Sequence, residues 1–248
     1  MKICLAQTRP VKGDIQSNID HHKTLINLAV ANGAGIIIFP ELSLTGYEPA
    51  LAEELAIHPD DERLEDFQQI SDSAPVIIGV GIPTQNNGET CISMILFQPG
   101  KVRQVYSKKY LHVDEEGFFT SGQNFTGSIG RQSNIALAIC YELSVPEHAQ
   151  DAYDRGAEIY IASVAKSAAG VEQAGSTLSG ISNKYAMTVL MANCVGHCDD
   201  IECGGKTAVW NSKGALAAEL NDTNEGILIF DTDTQDITKK QYVISQHQ

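Results

Sequence analysis

The sequence predicts an α/β fold with many short strands, joined partly in parallel and partly as hairpins. An apolar strand, a helical segment and a second apolar strand open the chain, and this order recurs further on. Such runs are typical of parallel strands buried on both faces. About a dozen strands fit a mixed sheet, or two stacked sheets with helices outside, better than one open sheet. Because no linker or repeat divides the chain, we expect one domain over residues 1–248.

The individual elements follow from apolar spacing and from turn residues. Short apolar runs predict strands at residues 2–7, 36–39, 76–82, 90–97, 101–106, 135–139, 159–163, 188–193, 206–210, 215–220 and 226–230. Helical patterns predict helices at residues 17–32, 61–72, 145–155 and 179–187. Ser17 is a candidate N-cap of the first helix, and Gly33 and Gly35 end it. The turn at residues 98–100 predicts a hairpin.

The charge of the chain excludes some classes of partner. The chain has 31 acidic residues against 17 Lys and Arg, a net charge of −14. Because this charge repels phosphate backbones and anionic membranes, we expect no nucleic-acid or membrane partner. No segment approaches the roughly 18 apolar residues of a membrane helix, and residues 1–7 do not fit a signal peptide. We therefore expect a cytoplasmic protein whose six cysteines are mostly free thiols.

Three reactive side chains follow predicted strands. Glu41 comes after residues 36–39 and a proline, Lys108 after residues 101–106, and Cys140 directly after residues 135–139. Ligands of open α/β sheets bind beyond the carboxyl ends of strands. A partly desolvated carboxylate can act as a general base, and a lysine can stabilise an oxyanion. A cysteine between a strand and a helix is exposed to attack a substrate, and we expect its pKa to be lowered there.

Each of these residues alone also fits an ordinary structural role. Glu41 could be a loop acid, Lys108 part of a solvated charge run and Cys140 an inert buried thiol. The motifs around them point further: FPELSLTGY contains Glu41, Y-x-K-x-Y-L contains Lys108, and Cys-Tyr-Glu begins at Cys140. The three anchor residues are separated by 67 and 32 positions. In motif order and spacing, over nearly its whole length, the chain resembles the nitrilase superfamily of carbon–nitrogen hydrolases.

The resemblance implies a four-layer α-β-β-α sandwich with two mixed sheets. It also implies roles: Glu41 as general base, Lys108 as oxyanion donor and Cys140 as nucleophile. Glu115 matches the family's additional acid and would hold Lys108 or the substrate in register. No metal or cofactor is implied, and a homodimer or larger homo-oligomer is expected. Residues 179–183 depart from the family's usual helix sequence, which weakens the expectation of an oligomer.

The expected activity is that of a thiol amidohydrolase acting on a small linear amide, an ω-amide or a related compound, through a thioester. Nitrile hydrolysis by the same site is the alternative within this class, and a binding domain without turnover is the alternative outside it. We assign Tyr47, Tyr141, Glu142 and Lys166 to substrate binding. For Lys166, an exposed surface lysine is the competing interpretation.

A second group of cysteines requires its own interpretation. Cys194, His197, Cys198 and Cys203 lie within ten residues of one another. Structural zinc sites usually pair ligands two residues apart, whereas the gaps between these cysteines are three and four residues. The pattern therefore favours a loop that lines the pocket over a metal site.

Overall fold

The strands form two large mixed sheets and one separate hairpin in the computed structural model, which describes residues 1–86, 88–122, 128–130 and 134–242. The strands are β1 (Lys2–Gln7), β2 (Ile36–Ile38), β3 (Ile77–Asn86), β4 (Glu89–Phe97), β5 (Gln104–Ser107), β6 (Ser128–Ile129), β7 (Ile135–Ile139), β8 (Ile159–Ser163), β9 (Thr188–Ala192), β10 (Val195–Cys198), β11 (Ile201–Gly204), β12 (Ala208–Trp210), β13 (Leu216–Glu219), β14 (Glu225–Asp231) and β15 (Ile237–Tyr242). The α-helices are α1 (Ile15–Ala31), α2 (Ala52–Leu55), α3 (Glu65–Ser73), α4 (Pro146–Asp154) and α5 (Ala168–Tyr185).

Each large sheet has a parallel centre and antiparallel edges. The first sheet has the order β15-β14-β1-β2-β3-β4-β5, in which β2 pairs in parallel with β1 and β3. The second has the order β13-β12-β9-β8-β7-β6, in which β8 pairs in parallel with β7 and β9. The remaining two strands, β10 and β11, form a two-stranded antiparallel hairpin of their own.

Successive side chains along each strand point to opposite faces of the sheet, and this alternation gives the layers of the fold. Leu5 and Ile38 of the first sheet and Leu137 of the second belong to one apolar core between the sheets. The intervening Cys4 and Ile37 pack with α1 and α3 in a second core, while Ala136 and Ala138 pack with α4 and α5 in a third. Both faces of each sheet are thereby covered. The predicted α-β-β-α sandwich is confirmed.

Several predicted boundaries are wrong, each for a local reason. The first helix is capped by Asp14, whose carboxylate accepts hydrogen bonds from the Ser17 backbone N–H (3.0 Å) and hydroxyl (2.7 Å); Ser17 is not the cap. Helix α5 begins at Ala168 instead of residue 179, because Ser167 caps it by accepting from the Gly170 N–H. Small residues at the start of α5 hide its periodicity in the sequence.

Two further differences concern strands. The segment predicted as a loop after residue 193 forms the β10–β11 hairpin, and the edge strand β15 has too many exposed polar residues to be recognised by its apolar pattern.

No helix within the described ranges is long and apolar enough to cross a membrane.

Candidate active site

Four side chains from both sheets meet where β2, β5 and β7 end. Glu41 follows β2, Lys108 follows β5, and Glu115 ends a short 3-10 turn at Val113–Glu115. The Lys108 ammonium donates to Glu41 Oε1 at 2.8 Å and to Glu115 Oε1 at 2.6 Å, and all three side chains are buried. Removing Lys108 would leave two buried carboxylates without a counter-charge, so the ammonium also holds the site together.

The two carboxylate oxygens of Glu41 differ in their hydrogen bonding. Its Oε1 accepts from Lys108, whereas its buried Oε2 has no hydrogen-bond partner among the described residues. Burial raises the pKa of Glu41, the Lys108 charge opposes that rise, and the Glu115 charge adds to it. The nearby Cys140 thiol also lowers the pKa of Glu41. A carboxylate with a raised pKa and a free oxygen beside a thiol is suited to accept its proton.

The main chain at Glu41 is fixed by close packing. The neighbouring strand β3 carries Gly81, where an added Cβ would lie 2.4 Å from the Pro40 carbonyl oxygen and 2.5 Å from the Leu42 nitrogen. Ser163, at the end of β8, donates its hydroxyl hydrogen bond to the Phe39 carbonyl at 2.8 Å. These contacts tie the position of Glu41 to both sheets.

Cys140 begins a 3-10 turn (Cys140–Ser144) directly after β7 and has a φ of +43°. A residue with a side chain in this left-handed region is strained by about 1–2 kcal/mol, so the surrounding structure must hold it there. Glu142 does so: its carboxylate accepts from the N–H groups of Ile139 (2.8 Å) and Lys109 (2.7 Å) and from the Tyr106 hydroxyl. Fully buried and with both oxygens occupied, Glu142 supports the turn instead of facing the substrate as predicted.

The Cys140 thiol is not acidified by its position at the turn. Burial raises its pKa to about 11, the charge of Glu41 adds to the rise, and Lys166 and Lys108 only partly oppose it. The expectation of a lowered pKa is wrong because desolvation and a neighbouring carboxylate outweigh the two ammonium groups. Cys140 therefore rests as a thiol and needs a base to become a nucleophile.

Lys108, by contrast, stays protonated. Burial alone would lower its pKa, but the charges of Glu41, Cys140 and Glu115 outweigh this effect and raise it. Tyr47 stabilises the arrangement, since its hydroxyl donates to Glu115 Oε1 at 2.9 Å. The other oxygen of Glu115 accepts from the His112 N–H at 2.7 Å. The ammonium is thus a permanent cation held beside the thiol.

Two residues that the sequence predicts to bind substrate, Tyr141 and Lys166, lie near Cys140. Tyr141, about one third exposed (36%), lies edge-on to His112 with a ring-centroid distance of 5.2 Å. Lys166 follows β8 and is half-buried, not exposed. The Asn193 side chain fixes its backbone, accepting from the Lys166 N–H at 2.9 Å and donating to its carbonyl at 3.1 Å. Asn193 was not predicted as a site residue; its sequence signal is an amide directly after an apolar strand.

The second group of cysteines forms a separate thiol cluster, which we define as Cys194, Cys198 and Cys203. These side chains pack together with Ala165 and against Tyr47. His197 lies on the exposed face of β10, where it faces Glu202 at 3.5 Å, away from the thiols. No group of three or more His, Cys, Asp or Glu side chains is arranged to hold a metal ion in the part of the chain that the structure describes.

Comparison with known proteins defines the class to which this fold and site belong. The carbon–nitrogen hydrolase family model matches residues 2–242, and the chain belongs to this family. Among solved structures, an amidase of the nitrilase superfamily from Nesterenkonia sp. AN1 is similar, with a TM-score of 0.84 at 23% identity over 93% of this chain and 92% of that one. The superfamily resemblance seen in the motifs is thereby confirmed.

Two relatives by sequence have different activities in their names. A glutamine-dependent NAD(+) synthetase from Acinetobacter baylyi is 27% identical over 250 residues, which cover 97% of this chain and 45% of that protein. An (R)-stereoselective amidase from a Pseudomonas species is 26% identical over 213 residues, 84% of this chain and 77% of that protein. The chain thus spans about half the length of the synthetases that it matches.

Proposed function

We propose that this carbon–nitrogen hydrolase is a thiol amidohydrolase that cleaves a small linear amide through a thioester on Cys140. The observation that carries the proposal is that the two carboxylate oxygens of Glu41 have different surroundings. Lys108 donates to Oε1, Oε2 has no hydrogen-bond partner among the described residues, and the charge of Glu41 helps to raise the pKa of the Cys140 thiol. The same oxygen can take and return the proton of every step, with Lys108 remaining charged throughout.

In the acylation step, Glu41 Oε2 takes the thiol proton while the Cys140 sulfur attacks the amide carbon. The carbonyl π electrons move to oxygen, and the Lys108 ammonium stabilises the oxyanion that forms. Glu41 then gives its proton to the amide nitrogen, the C–N bond breaks, and ammonia or an amine leaves. The product is a Cys140 thioester with Glu41 again a carboxylate.

Deacylation repeats the proton transfers with water. Glu41 takes a proton from water, the hydroxyl oxygen adds to the thioester carbon, and Lys108 again faces the oxyanion. Collapse of this intermediate breaks the C–S bond, and the sulfur recovers the proton from Glu41. Glu115 acts indirectly, because its charge and its contact with Lys108 keep the ammonium in place.

The relatives support the amide as substrate. Two of the similar proteins are named amidases, and variants of the Nesterenkonia amidase include one in complex with butyramide. Dependence on glutamine, itself a side-chain amide, is part of the name of the synthetases. An amide is common to all of these names, and we therefore propose an amide as the substrate of this chain as well.

The test is a screen for ammonia release by the purified protein over ω-amides, N-carbamoyl compounds, acylated amines and nitriles. We expect release from at least one amide and none from the Cys140→Ala variant, with the thermal unfolding midpoint of the variant confirming that it folds. Cys140→Ser serves as the matched control that keeps a hydrogen-bonding side chain at the turn. Turnover by Cys140→Ala would contradict the mechanism. Ammonia release from nitriles alone would show that the substrate is a nitrile and not an amide.

A further inference from the structure

A chain of hydrogen bonds leads from the second sheet to the nucleophile through His148 on α4. His148 Nδ1 lies 2.8 Å from the Tyr160 hydroxyl, and its Nε2 lies 3.0 Å from the Tyr106 hydroxyl. Tyr106 donates in turn to Glu142 Oε2, which also accepts from the Ile139 N–H at 2.8 Å. Because Ile139 directly precedes the nucleophile, the chain ends at the turn that carries the thiol.

The chemistry of these groups fixes the direction of the chain. A carboxylate has no hydrogen to give, so the single hydrogen of the Tyr106 hydroxyl goes to Glu142. The Tyr106 oxygen therefore accepts from His148, which places a hydrogen on Nε2. Burial lowers the pKa of His148, although the charge of Glu142 opposes this shift, so the ring is neutral at pH 7. Its Nδ1 then has a free lone pair, which accepts from the Tyr160 hydroxyl.

Glu142 connects this chain to both the thiol and the ammonium of the site. Its Oε2 accepts from the N–H that precedes Cys140, and its Oε1 accepts from the N–H of Lys109, the neighbour of Lys108. Cys140 has a φ of +43°, which its surroundings must hold. Without the bond from Tyr106, the carboxylate could turn and release the nucleophile. A displacement of about 1 Å in a reacting group can lower a rate about 10²-fold.

His148 lies outside the part of the site where the bond is broken. Its side chain is 13% exposed and lines a cavity of about 410 Å³, together with Tyr106 and Arg155. Neither Lys108 nor Cys140 is among the described residues that line this cavity. His148 therefore acts on the reaction through the groups that it holds, and a small solute can reach its place from the solvent.

We propose that His148 is a positioning residue for Cys140, and that it holds the turn of the nucleophile through Tyr106 and Glu142. The group that matters is the Nε2–H, which fixes the Tyr106 hydroxyl, while Tyr160 keeps the ring in the tautomer that carries this hydrogen. The inference rests on the proposed function for the reaction that is positioned. Because His148 does not line the place of the substrate, its loss should lower kcat and leave KM nearly unchanged.

The first experiment removes the imidazole and returns it from solution. In His148→Ala, kcat for the best amide should fall at least about tenfold, and KM should change by less than about threefold. Millimolar imidazole should restore most of the loss, because it can enter the cavity and donate to Tyr106. N-methylimidazole can accept from Tyr160 but has no N–H to donate, so it should restore nothing. Neither additive should change the wild-type kcat.

Two further variants separate positioning from folding. His148→Phe fills the space of the ring and should lose as much kcat as His148→Ala, but imidazole should not restore it. Ser71→Ala is the matched control, because it removes a buried hydrogen bond to the Val76 carbonyl (2.7 Å) far along the chain from the site. It should lower the unfolding midpoint and leave kcat unchanged. Unchanged kcat in both His148 variants, or equal rescue by both additives, would overturn the inference.

A double-mutant cycle tests the route through Tyr106. Tyr106→Phe keeps the ring but cannot donate to Glu142, so it should lower kcat by about the same factor as His148→Phe. The double variant should lose no more than either single variant, because the two residues act in series. If the two losses multiply, His148 does not act through Tyr106 and the inference is wrong, even where imidazole restores activity. Should imidazole fail to enter the cavity, this cycle decides alone.

The alkylation rate of Cys140 separates this inference from the proposed function. Reaction with iodoacetamide needs the thiol in place beside its base, but it needs no amide. In His148→Ala the rate should fall at least about threefold, and imidazole but not N-methylimidazole should restore it. If this pattern appears while the wild type hydrolyses no amide, the proposed function fails and the positioning role stands. If the wild type hydrolyses amides and neither kcat nor alkylation responds to His148→Ala, the positioning role is refuted and the proposed function stands.

Discussion

Cys140 and the thiol cluster (Cys194, Cys198 and Cys203) differ in what surrounds the sulfur. The charges of two carboxylates, Glu41 and Glu115, and of two ammonium groups act on Cys140. The thiols of the cluster face one another, Ala165 and the ring of Tyr47. Cys140 is partly exposed, whereas each cluster thiol is at most 2% exposed.

The comparison teaches that a low pKa does not by itself make a nucleophile. Hydrogen bonds from Cys194 and Cys203 lower the pKa of Cys198, while burial raises that of Cys140. In the described part of the chain, Cys198 is nevertheless buried among other thiols and apolar side chains. The stronger candidate is the thiol with the higher pKa, because Glu41 can remove its proton during attack and Lys108 can stabilise the oxyanion.

The largest effect should come from removing the base. Glu41→Gln keeps an oxygen for Lys108 but cannot take the thiol proton, so kcat/KM for the best amide should fall by about 10²–10⁴-fold. Steady-state ammonia release measures this fall. An unchanged unfolding midpoint is the control for the fold, and a loss below tenfold would show that Cys140 is activated by something other than Glu41.

Alkylation should distinguish Cys140 from the thiol cluster by their rates of reaction. Under native conditions and limiting iodoacetamide, we expect peptide mass spectrometry to find Cys140 modified first and the thiol cluster protected, because those three sulfurs are buried. In denaturant, all six cysteines should react. Earlier modification of Cys198 would mean that its lowered pKa, and not access and a base, decides reactivity.

The next effect is a shift in pH dependence. The Glu115 charge raises the pKa of Glu41, and Glu41 must be deprotonated to act as a base. Activity is therefore lost as the pH falls through that pKa, and Glu115→Gln should move the acid limb of kcat/KM to lower pH. We expect at most about a tenfold loss at the optimum, since Gln keeps an acceptor for Lys108. A limb that moves to higher pH would contradict this electrostatic account.

The sequence predicted which side chains come together better than it predicted their chemical state. Glu41, Lys108 and Cys140 could be found because each follows an apolar strand within a recognisable motif. The direction of the Cys140 pKa shift could not be predicted from the sequence. It depends on how completely the two sheets exclude water and on a carboxylate 99 positions away in the chain.

Glu142 and the thiol cluster show the same limit. Glu142 stands two residues after the nucleophile, and its sequence position does not reveal that its oxygens are used by Ile139, Lys109 and Tyr106. The hairpin that carries Cys198 and Cys203 was hidden because its strands have only four residues each, and turn residues separate them. Tertiary packing, not local pattern, decides both.

The smallest effect should come from the thiol cluster itself. Cys198→Ala removes a buried sulfur and its hydrogen bonds, which should lower the free energy of unfolding by about 1–2 kcal/mol in urea titrations. Catalysis should stay within about twofold, because Tyr47 keeps its bond to Glu115. Cys4→Ala, in the core beneath α1, is the matched control for loss of a buried thiol. A tenfold loss of kcat in Cys198→Ala but not in Cys4→Ala would mean that the cluster positions Tyr47, and the two thiol regions would then be one functional unit.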